Sequence, residues 1–179
     1  IGKCGSSGDV SSDFANTLLT APGDLEKDEN SSVSGSSNFF VVDRWITTNS
    51  SIKYVNNGSS AVTFFGSITV NPGEVGKILT TDGYTGSVAN FEDQICYTQG
   101  ANANGSHYTH NVICVNRGTG LTTLRVGKSS ASVTKASVPD YDEEEGVLAS
   151  SASLSSPWGL AFDADGNLYI TTNSSHHIR

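Results

Sequence analysis

Residues 156–179 read SPWGLAFDADGNLYITTNSSHHIR, and this segment has the clearest strand and turn pattern in the chain. Residues 158–162 alternate large apolar side chains with small or polar ones, which is the period-2 pattern of a strand. Residues 163–167 predict a tight turn, because Gly and Asn tolerate positive φ and Asp hydrogen-bonds its own backbone. Residues 168–172 predict a second strand, and residues 175–179 predict the start of a third.

Similar β-prone runs, separated by turn residues, recur along the rest of the chain. Further strands are predicted at residues 38–42, 45–48, 51–55, 61–65, 94–98, 111–116 and 121–126. Pro22-Gly23 and residues 56–58 predict turns, residues 26–37 a solvated polar loop, and residues 67–81 a connection. Many short strands with turns between them are typical of an all-β sandwich, barrel or propeller.

The length suits one domain over residues 1–179, and the composition disfavours nucleic acid and membranes as partners. Charged residues make up only 16% of the 179 residues, and the net charge is -8. An acidic chain without a basic stripe is a poor partner for nucleic acid or for an anionic membrane surface. No apolar run approaches the roughly 18 residues that span a bilayer. The sequence does not begin with Met and contains none, so we expect that either a leader has been removed or the segment is internal.

Self-similarity divides the chain into three repeats, at about 8–80, 81–138 and 139–179. The pentapeptide TTNSS occurs at residues 47–51 and again at residues 171–175, each time after an Ile. A small-residue lead followed by a strand occurs three times, and a turn with a closing strand occurs twice. Internal self-similarity of this kind indicates an architecture built from stacked supersecondary units.

The best-preserved repeat, residues 156–179, resembles an NHL repeat, with its Pro-x-Gly strand, Asp-Gly-Asn turn and Leu-Tyr-Ile strand. Residues 38–66 and 111–127 fit parts of that pattern more loosely. The chain departs from it at Thr172, where an Asp is common, and its first two repeats lack the Asp-Gly-Asn turn. The resemblance implies all-β blades of an NHL-type β-propeller, with about one four-stranded blade per repeat.

Three such repeats form an incomplete propeller, and the third is truncated before its closing strand. Two explanations are open: the chain is part of a longer one, or another copy completes the ring. In the second case, a neighbour could donate the missing strand, because an unpaired strand edge is a template for β-addition.

Cysteines and sequons favour a secreted protein. Cys96 and Cys114 can form a disulfide if their strands are adjacent, but not if they are the first and third strands of one blade. Cys4 is then unpaired or an alternative partner. Candidate N-glycosylation sites are Asn30, Asn49, Asn57, Asn104 and Asn173. Hydroxyl-rich turns and few lysines accompany them, so we expect an extracellular location.

No residues form a recognisable catalytic or metal-binding constellation. Residues 163–167 lack the twelfth-position Glu of an EF-hand, so a hairpin turn is favoured over a calcium loop. His107 and His110 form H-x-x-H, while His176 and His177 are adjacent and would point to opposite faces of a strand. The acidic residues 140–145 indicate a solvated loop. The predicted site therefore has no catalytic residue, metal or cofactor.

Three functions follow as hypotheses. The first is a non-catalytic extracellular binding or scaffold module, whose partners are proteins or further copies of itself and which carries N-linked glycans. The second is a structural subunit of an extracellular assembly or filament, with strand donation between copies. The third is a metal-dependent lyase or lactonase-like enzyme, which some NHL-like propellers are; its ligands cannot be matched to residues here.

Overall fold

A computed structural model describes residues 3–4, 10–11, 18–30, 37–44, 49–101, 108–127, 146–154, 156–173 and 177–179. These residues form strands, turns and one 3₁₀ turn, Ala149–Ser151, and no α-helix occurs among them. The strands are β1 (Lys3–Cys4), β2 (Val10–Ser11), β3 (Leu18–Leu19), β4 (Pro22–Lys27), β5 (Phe39–Asp43), β6 (Asn49–Val55), β7 (Val62–Phe64), β8 (Ile68–Val70), β9 (Val75–Asp82), β10 (Val88–Phe91), β11 (Gln94–Ala101), β12 (Tyr108–Asn116), β13 (Thr122–Val126), β14 (Pro157–Phe162), β15 (Leu168–Thr172) and β16 (His177–Ile178).

Three antiparallel sheets follow one another along the chain. The first sheet has the order β2-β9-β6-β5-β4, the second β10-β11-β12-β13 and the third β14-β15-β16. The hairpin β7–β8 is inserted between β6 and β9, and β1 pairs with β3 in parallel. Within the three sheets, every strand except β2 pairs with the next strand of its sheet in sequence, with β6 and β9 separated by the inserted hairpin. The expectation of an all-β fold is therefore confirmed.

The three sheets pack face to face, and the second sheet is covered on both sides. One cluster joins the first sheet to the second and includes Phe40, Tyr54, Ile95 and Ile113, with Phe64 of the inserted hairpin. A second cluster joins the opposite face of the second sheet to the third. Its members are Cys96, Val112, Cys114, Val126, Leu154, Ile170, Leu160, Phe162 and Leu168. Each fully buried side chain of this size contributes roughly 1.5–3 kcal/mol.

One edge strand of each sheet, β4, β10 and β14, takes part in a chain of polar contacts that links the sheets. Ser87 Oγ, next to β10, donates to Asp24 Oδ2 in β4 at 2.6 Å, and Val88 N donates to the same oxygen at 3.0 Å. Leu160 N in β14 donates to Ser87 Oγ at 3.2 Å. Neighbouring sheets are thus connected through these edge strands as well as through their apolar faces.

The remaining face of the third sheet is open, whereas that of the first is largely covered. Tyr169 and Ile178 on the third sheet are 47% and 73% exposed. On the first sheet, Val41, Val55 and Val75 are buried in a cluster with Leu19 of β3. A cavity of about 550 Å³ borders this cluster, lined by Leu19, Pro22, Gly23, Asp24, Leu25 and Val41.

The predicted strands at 38–42, 51–55 and 61–65 are present, but the turn, loop and connection predicted around the first sheet are wrong. Pro22-Gly23 is the start of β4 and not a turn, and the predicted polar loop begins inside the same strand. Pro22 fits there because β4 is an edge strand and Pro is its first residue. The predicted connection at 67–81 contains β8 and most of β9. The closing strand of this sheet is β9, whereas residues 61–65 contribute to the separate hairpin. The strand predicted at 45–48 lies outside the described residues.

A disulfide joins Cys96 and Cys114 across two neighbouring strands. The two residues are direct partners in the β11–β12 ladder, with Cα atoms 4.0 Å apart. The strands are thus adjacent, and the arrangement in which they are first and third does not occur. Cys4 lies in β1.

Reduction of this disulfide is expected to lower the free energy of unfolding by about 3 kcal/mol, because the bond closes a loop whose ends are 18 residues apart. Urea unfolding with and without a thiol reductant measures the difference. C4A is the matched control and should keep the full sensitivity to reductant, while C96A/C114A should lose it. Equal midpoints for the oxidised and reduced protein would contradict the expectation.

Candidate functional site

Three side chains from different sheets or connections meet at the surface and form what we name the aromatic–arginine cluster: Arg44, Tyr84 and Trp158. Arg44 follows β5, Tyr84 lies between β9 and β10, and Trp158 is the second residue of β14. The two ring centroids are 5.5 Å apart with an interplanar angle of 30°. Arg44 Cζ lies 4.9 Å from the Tyr84 centroid and 5.0 Å from that of Trp158.

Arg44 is held in place by backbone carbonyl groups. Its Nε donates to Thr85 O at 3.1 Å and its Nη2 donates to Gly86 O at 2.7 Å. Its own backbone N–H donates to Ala21 O at 3.0 Å. Among the described residues, no carboxylate lies within ion-pair distance of this guanidinium. Arg44 is therefore a partly buried cation whose position is fixed without a counter-charge.

Two glycines make room for the cluster. A Cβ on Gly23 would lie 2.0 Å from Arg44 Nε and 2.2 Å from its Cζ. A Cβ on Gly86 would lie 2.7 Å from the backbone oxygen of Trp158. Both distances are shorter than real Cβ contacts, so a side chain at either glycine would displace part of the cluster.

A second polar group, Asp28 with Arg117 and Tyr54, is buried between the first and second sheets. Arg117 donates from Nη1 and Nη2 to the two Asp28 oxygens, each at 2.7 Å, and Tyr54 OH donates to Oδ2 at 2.6 Å. Asp28 is 1% exposed. It also accepts a bond from Asn30 N. Asp28 was expected in a solvated loop, and this prediction is wrong.

The protonation equilibria of these groups follow from their contacts. Burial raises the pKa of Tyr54 above its usual range, and the hydrogen bond to Asp28 adds to the rise. For Arg117, burial lowers the pKa, but the hydrogen bonds and charge of Asp28 outweigh that effect and raise it. Tyr54 and Arg117 thus keep their protons at neutral pH. Both Asp28 oxygens accept hydrogen bonds from Arg117 and Tyr54, so these three residues link the first sheet to the second. We call them the Asp28 clamp.

A third polar group, Lys53 with Asp43, is buried within the first sheet. Lys53 Nζ lies 2.9 Å from Asp43 Oδ2, and the two side chains are 2% and 4% exposed. Asp43 Oδ1 accepts bonds from the backbone N–H groups of Thr20 and Ala21. The pair thereby ties the chain preceding β4 to the middle of the sheet.

The turn at Asp163 is closed on itself. Asp163 Oδ1 accepts bonds from Asp165 N and Asn167 N, and Oδ2 accepts bonds from Asn167 Nδ2 and Tyr169 OH. The Asn167 hydrogen bonds lower the pKa of Asp163. β14 and β15 pair on either side, so the predicted hairpin is present. Among the residues the structure describes, no three His, Cys, Asp or Glu side chains are grouped to hold a metal ion.

His110 has a structural contact, whereas His107, His176 and the acidic residues 140–145 lie outside the described residues. His110 Nδ1 accepts a bond from Ser156 N at 2.7 Å. Ser156 has a φ of 51°, in the left-handed region. His110 therefore holds a strained residue directly before β14. Burial lowers the pKa of His110.

Acidification is expected to weaken the fold through His110. The pKa of His110 is lower in the folded protein than in the unfolded chain, where it is about 6.5. The neutral imidazole therefore contributes fully to folding stability at pH values above about 6.5. The effect is lost as the pH falls through the folded pKa. Urea unfolding between pH 7.5 and 5 should show this decline in the native protein and a smaller one in H110Q. H177Q is the control: His177 is exposed on β16, so this variant should lose as much stability on acidification as the native protein. If the free energy of unfolding depends on pH in the same way in the native protein and in H110Q, His110 does not have this role.

The candidate glycosylation sites in the described residues are at the surface. Asn30, Asn49, Asn57 and Asn173 are exposed, and Asn104 lies outside the described residues. Asn30 Nδ2 donates to the Glu92 carbonyl, and Asn49 Oδ1 accepts from Gly83 N at 3.4 Å. Glycosylation at these positions stays a prediction.

Comparisons with protein-family models, curated proteins and solved structures found no match for this chain. No described segment forms a helix with the length and hydropathy needed to cross a bilayer. The candidate site is therefore supported only by the contacts and exposure of its residues.

Sequence reasoning did not identify the aromatic–arginine cluster, since its three members lie far apart in the chain. One signal was available in the glycines around Tyr84, in the run Gly83-Tyr84-Thr85-Gly86. Gly inside a β-rich pattern often indicates close approach of another backbone, as Trp158 makes to Gly86.

Proposed function

We propose that the protein is a non-catalytic extracellular binding module built from NHL-type propeller repeats. The main support is the order of the sheets: each contains an antiparallel meander, and the edge strands that begin these meanders, β4, β10 and β14, share the Asp24–Ser87–Leu160 contacts. Successive propeller blades have this arrangement. The resemblance of residues 156–179 to an NHL repeat supports the same interpretation.

The binding surface in this proposal is the aromatic–arginine cluster. Exposed Trp and Arg side chains are enriched where proteins bind partners, because they combine a large apolar area with hydrogen-bond donors. Trp158 is 43% exposed, and Arg44 lies against it. The ion pairs Asp28–Arg117 and Asp43–Lys53 are buried, and their charges contact each other inside the protein. We therefore place the binding surface at the exposed cluster and not at these pairs.

A binding array tests the proposal. The secreted chain is labelled and applied to arrayed extracellular proteins and glycans, alongside W158A. Trp158 is partly exposed, so W158A should keep its thermal transition and lose the specific signals. Indistinguishable array profiles for the two proteins would contradict binding at this surface.

The structural-subunit alternative has support from β16. This strand pairs with β15 on one side, and Ile178 on it is 73% exposed. A strand edge of this kind can accept a strand from another copy. Sedimentation equilibrium over a hundredfold concentration range tests it: a mass that rises with concentration and falls again in I178K supports assembly, and a constant monomer mass excludes it.

A further inference from the structure

We propose that the free edge of β4 binds an extended peptide in which a large apolar residue lies between two basic residues. The site, which we name the β4 groove, consists of the outward backbone groups of β4 and the cavity of about 550 Å³ beside them. It contains none of the three residues of the aromatic–arginine cluster, so the inference goes beyond the proposed function. It depends on the register of β4 against β5, the apolar side chains around the cavity and the charges on the other face of β4.

The register of β4 directs the backbone groups of Leu25 and Lys27 away from the sheet. β4 is an edge strand and pairs only with β5. Residues that lie opposite one another in an antiparallel pair alternate between hydrogen-bonded and non-hydrogen-bonded. Asp28 N donates to Asn38 O at 2.8 Å, so this pair is hydrogen-bonded. Counting back along the ladder, the N–H and C=O groups of Leu25 and Lys27 point away from β5 and towards the free edge.

The contacts of Asn90 in β10 agree with this direction. Its Nδ2 donates to Lys27 O at 2.6 Å and its Oδ1 accepts from Glu29 N at 3.2 Å, as a peptide group of a neighbouring strand would do. Next to this contact, Leu25 is 58% exposed, and no described residue bonds to its backbone N–H or C=O from the free edge. One residue of an antiparallel peptide can therefore exchange two hydrogen bonds with Leu25.

The cavity selects a large apolar residue at the centre of the peptide. Leu25 lies opposite Val41 in the ladder, and both border the cavity together with Leu19 and Pro22. Residues that pair directly across two strands have their side chains on the same face of the sheet. The peptide residue that pairs with Leu25 therefore extends towards this cavity. A side chain of the size of Leu covers the exposed Leu25 there, and the removal of both apolar surfaces from water favours binding.

The other face of β4 selects basic residues on both sides of the apolar one. Asp24 and Glu26 flank Leu25, and their side chains lie on the opposite face because side chains alternate along a strand. Asp24 Oδ2 accepts only from the neutral donors Ser87 Oγ and Val88 N, and no described Lys or Arg lies within ion-pair distance of either carboxylate. Burial and the charge of Asp24 raise the pKa of Glu26. Lys or Arg at the flanking peptide positions supplies the missing counter-charges.

These features together distinguish the ligand from other peptide classes. An acidic peptide brings like charges to Asp24 and Glu26. A proline-rich peptide lacks the N–H group that the carbonyl oxygen of Leu25 would accept. A helical peptide has its backbone groups bonded internally and cannot pair with a strand edge. An extended peptide with the order basic, apolar, basic matches the backbone edge, the cavity and the charges at once.

Isothermal titration calorimetry on the full chain tests the proposal with acetylated and amidated pentapeptides. The reference peptide is Thr-Lys-Leu-Lys-Thr. With Ala at the centre, we expect at least about tenfold weaker binding, because most of the apolar burial is lost. With Glu in place of both lysines, we expect no measurable binding. N-methylation of the central residue removes the N–H group that the carbonyl oxygen of Leu25 accepts, and should weaken binding about fivefold.

Variants of the protein locate the contacts. L25P removes the outward N–H group and leaves the β4–β5 ladder bonds in place, since Pro is tolerated where the N–H of an edge strand faces solvent. It should abolish binding of the reference peptide, whereas L25A keeps the N–H group and should retain weaker binding. E26Q should weaken binding about threefold. E92Q makes the same change at an exposed residue directly after β10, and it should bind like the native protein.

Thermal unfolding of each variant establishes that it is folded, and the N-methylated peptide tests the same backbone contact if L25P does not fold. The proposal is overturned by equal affinities for the reference and N-methylated peptides, by equal affinities for the Lys and Glu peptides, or by no binding to the native protein. A sedimentation mass that rises with concentration and falls in L25P would assign the edge to a second copy and would also overturn it.

The W158A variant separates this proposal from the proposed function. It lacks part of the aromatic–arginine cluster but keeps the β4 groove, so it should bind the reference peptide with native affinity. Loss of peptide binding in W158A would place the peptide at the cluster and overturn the proposal. If the native protein does not bind the peptide but its array signals disappear in W158A, the proposed function stands and the β4 groove does not.

Discussion

Replacement of Asp28 by Asn is expected to lower the free energy of unfolding by about 3 kcal/mol, because it leaves the Arg117 charge between two sheets without its counter-ion. Asp28 is fully buried, and the Arg117 side chain is 14% exposed. The guanidinium also lies over Phe64 at 4.8 Å, so it cannot leave this position without exposing the core. Equilibrium urea unfolding of D28N against the native protein measures the loss.

Two further variants make the Asp28 experiment specific. Y54F removes one neutral donor from Asp28 and should lower the free energy of unfolding by about 1 kcal/mol. E29Q breaks the exposed Lys27–Glu29 pair and should change it by less than about 0.5 kcal/mol. If D28N were no more destabilising than E29Q, the clamp would not contribute to holding the two sheets together.

Replacement of Lys53 by Met is the second large expected effect, at about 3–5 kcal/mol. Met has a similar length, so packing is nearly preserved and the loss comes from the uncompensated Asp43 carboxylate. The free energy of unfolding from urea titration gives the size of the effect. K27M provides the control, since Lys27 forms an exposed pair on the edge strand β4.

The double variant D43N/K53M separates charge from packing. It removes both charges while the amide oxygen of residue 43 can still accept from Thr20 N and Ala21 N. Part of the stability lost in K53M should therefore return. A double variant at least as unstable as K53M would show that the lysine side chain acts through packing rather than through its charge.

The sequence predicts the fold class and most strands of the second and third sheets, because periodicity and turn chemistry agree there. In the third sheet, Asp163 and Gly166 specify the turn that the flanking apolar residues require. In the first sheet, the two signals conflict. Pro22 and Gly23 have turn chemistry, but they begin an edge strand, where a missing N–H donor is tolerated.

Burial of charged residues was the part that the sequence did not reveal. Asp28 lies in the polar run EKDEN, which has the composition of a solvated loop, and its partner Arg117 is in a turn 89 residues away. For Lys53, the sequence predicts only a position in a strand. Since long-range ion pairs leave no local pattern, one sequence cannot identify them.

The aromatic–arginine cluster was missed for a related reason. Trp158 fits the alternation of its strand, and Arg44 and Tyr84 lie in connections without periodicity. The TTNSS repeat, in contrast, is visible in the sequence, but its two asparagines lie at different positions: Asn49 begins β6, whereas Asn173 follows β15. The matching asparagines of the two copies thus occupy different parts of their sheets.

The pairing of β2 with β9 has a consequence for how the chain folds as it leaves the ribosome. Val10 of β2 pairs with Gly76 of β9. During synthesis, β2 therefore cannot pair until the ribosome has made most of the first sheet. The second sheet has no such delay, because its strands are consecutive and joined by short connections. Loop closure disfavours the distant pairing further. We therefore expect the pairing of β2 with β9 to form late. Until residue 76 leaves the ribosome, β2 has no native partner and can pair with a wrong strand.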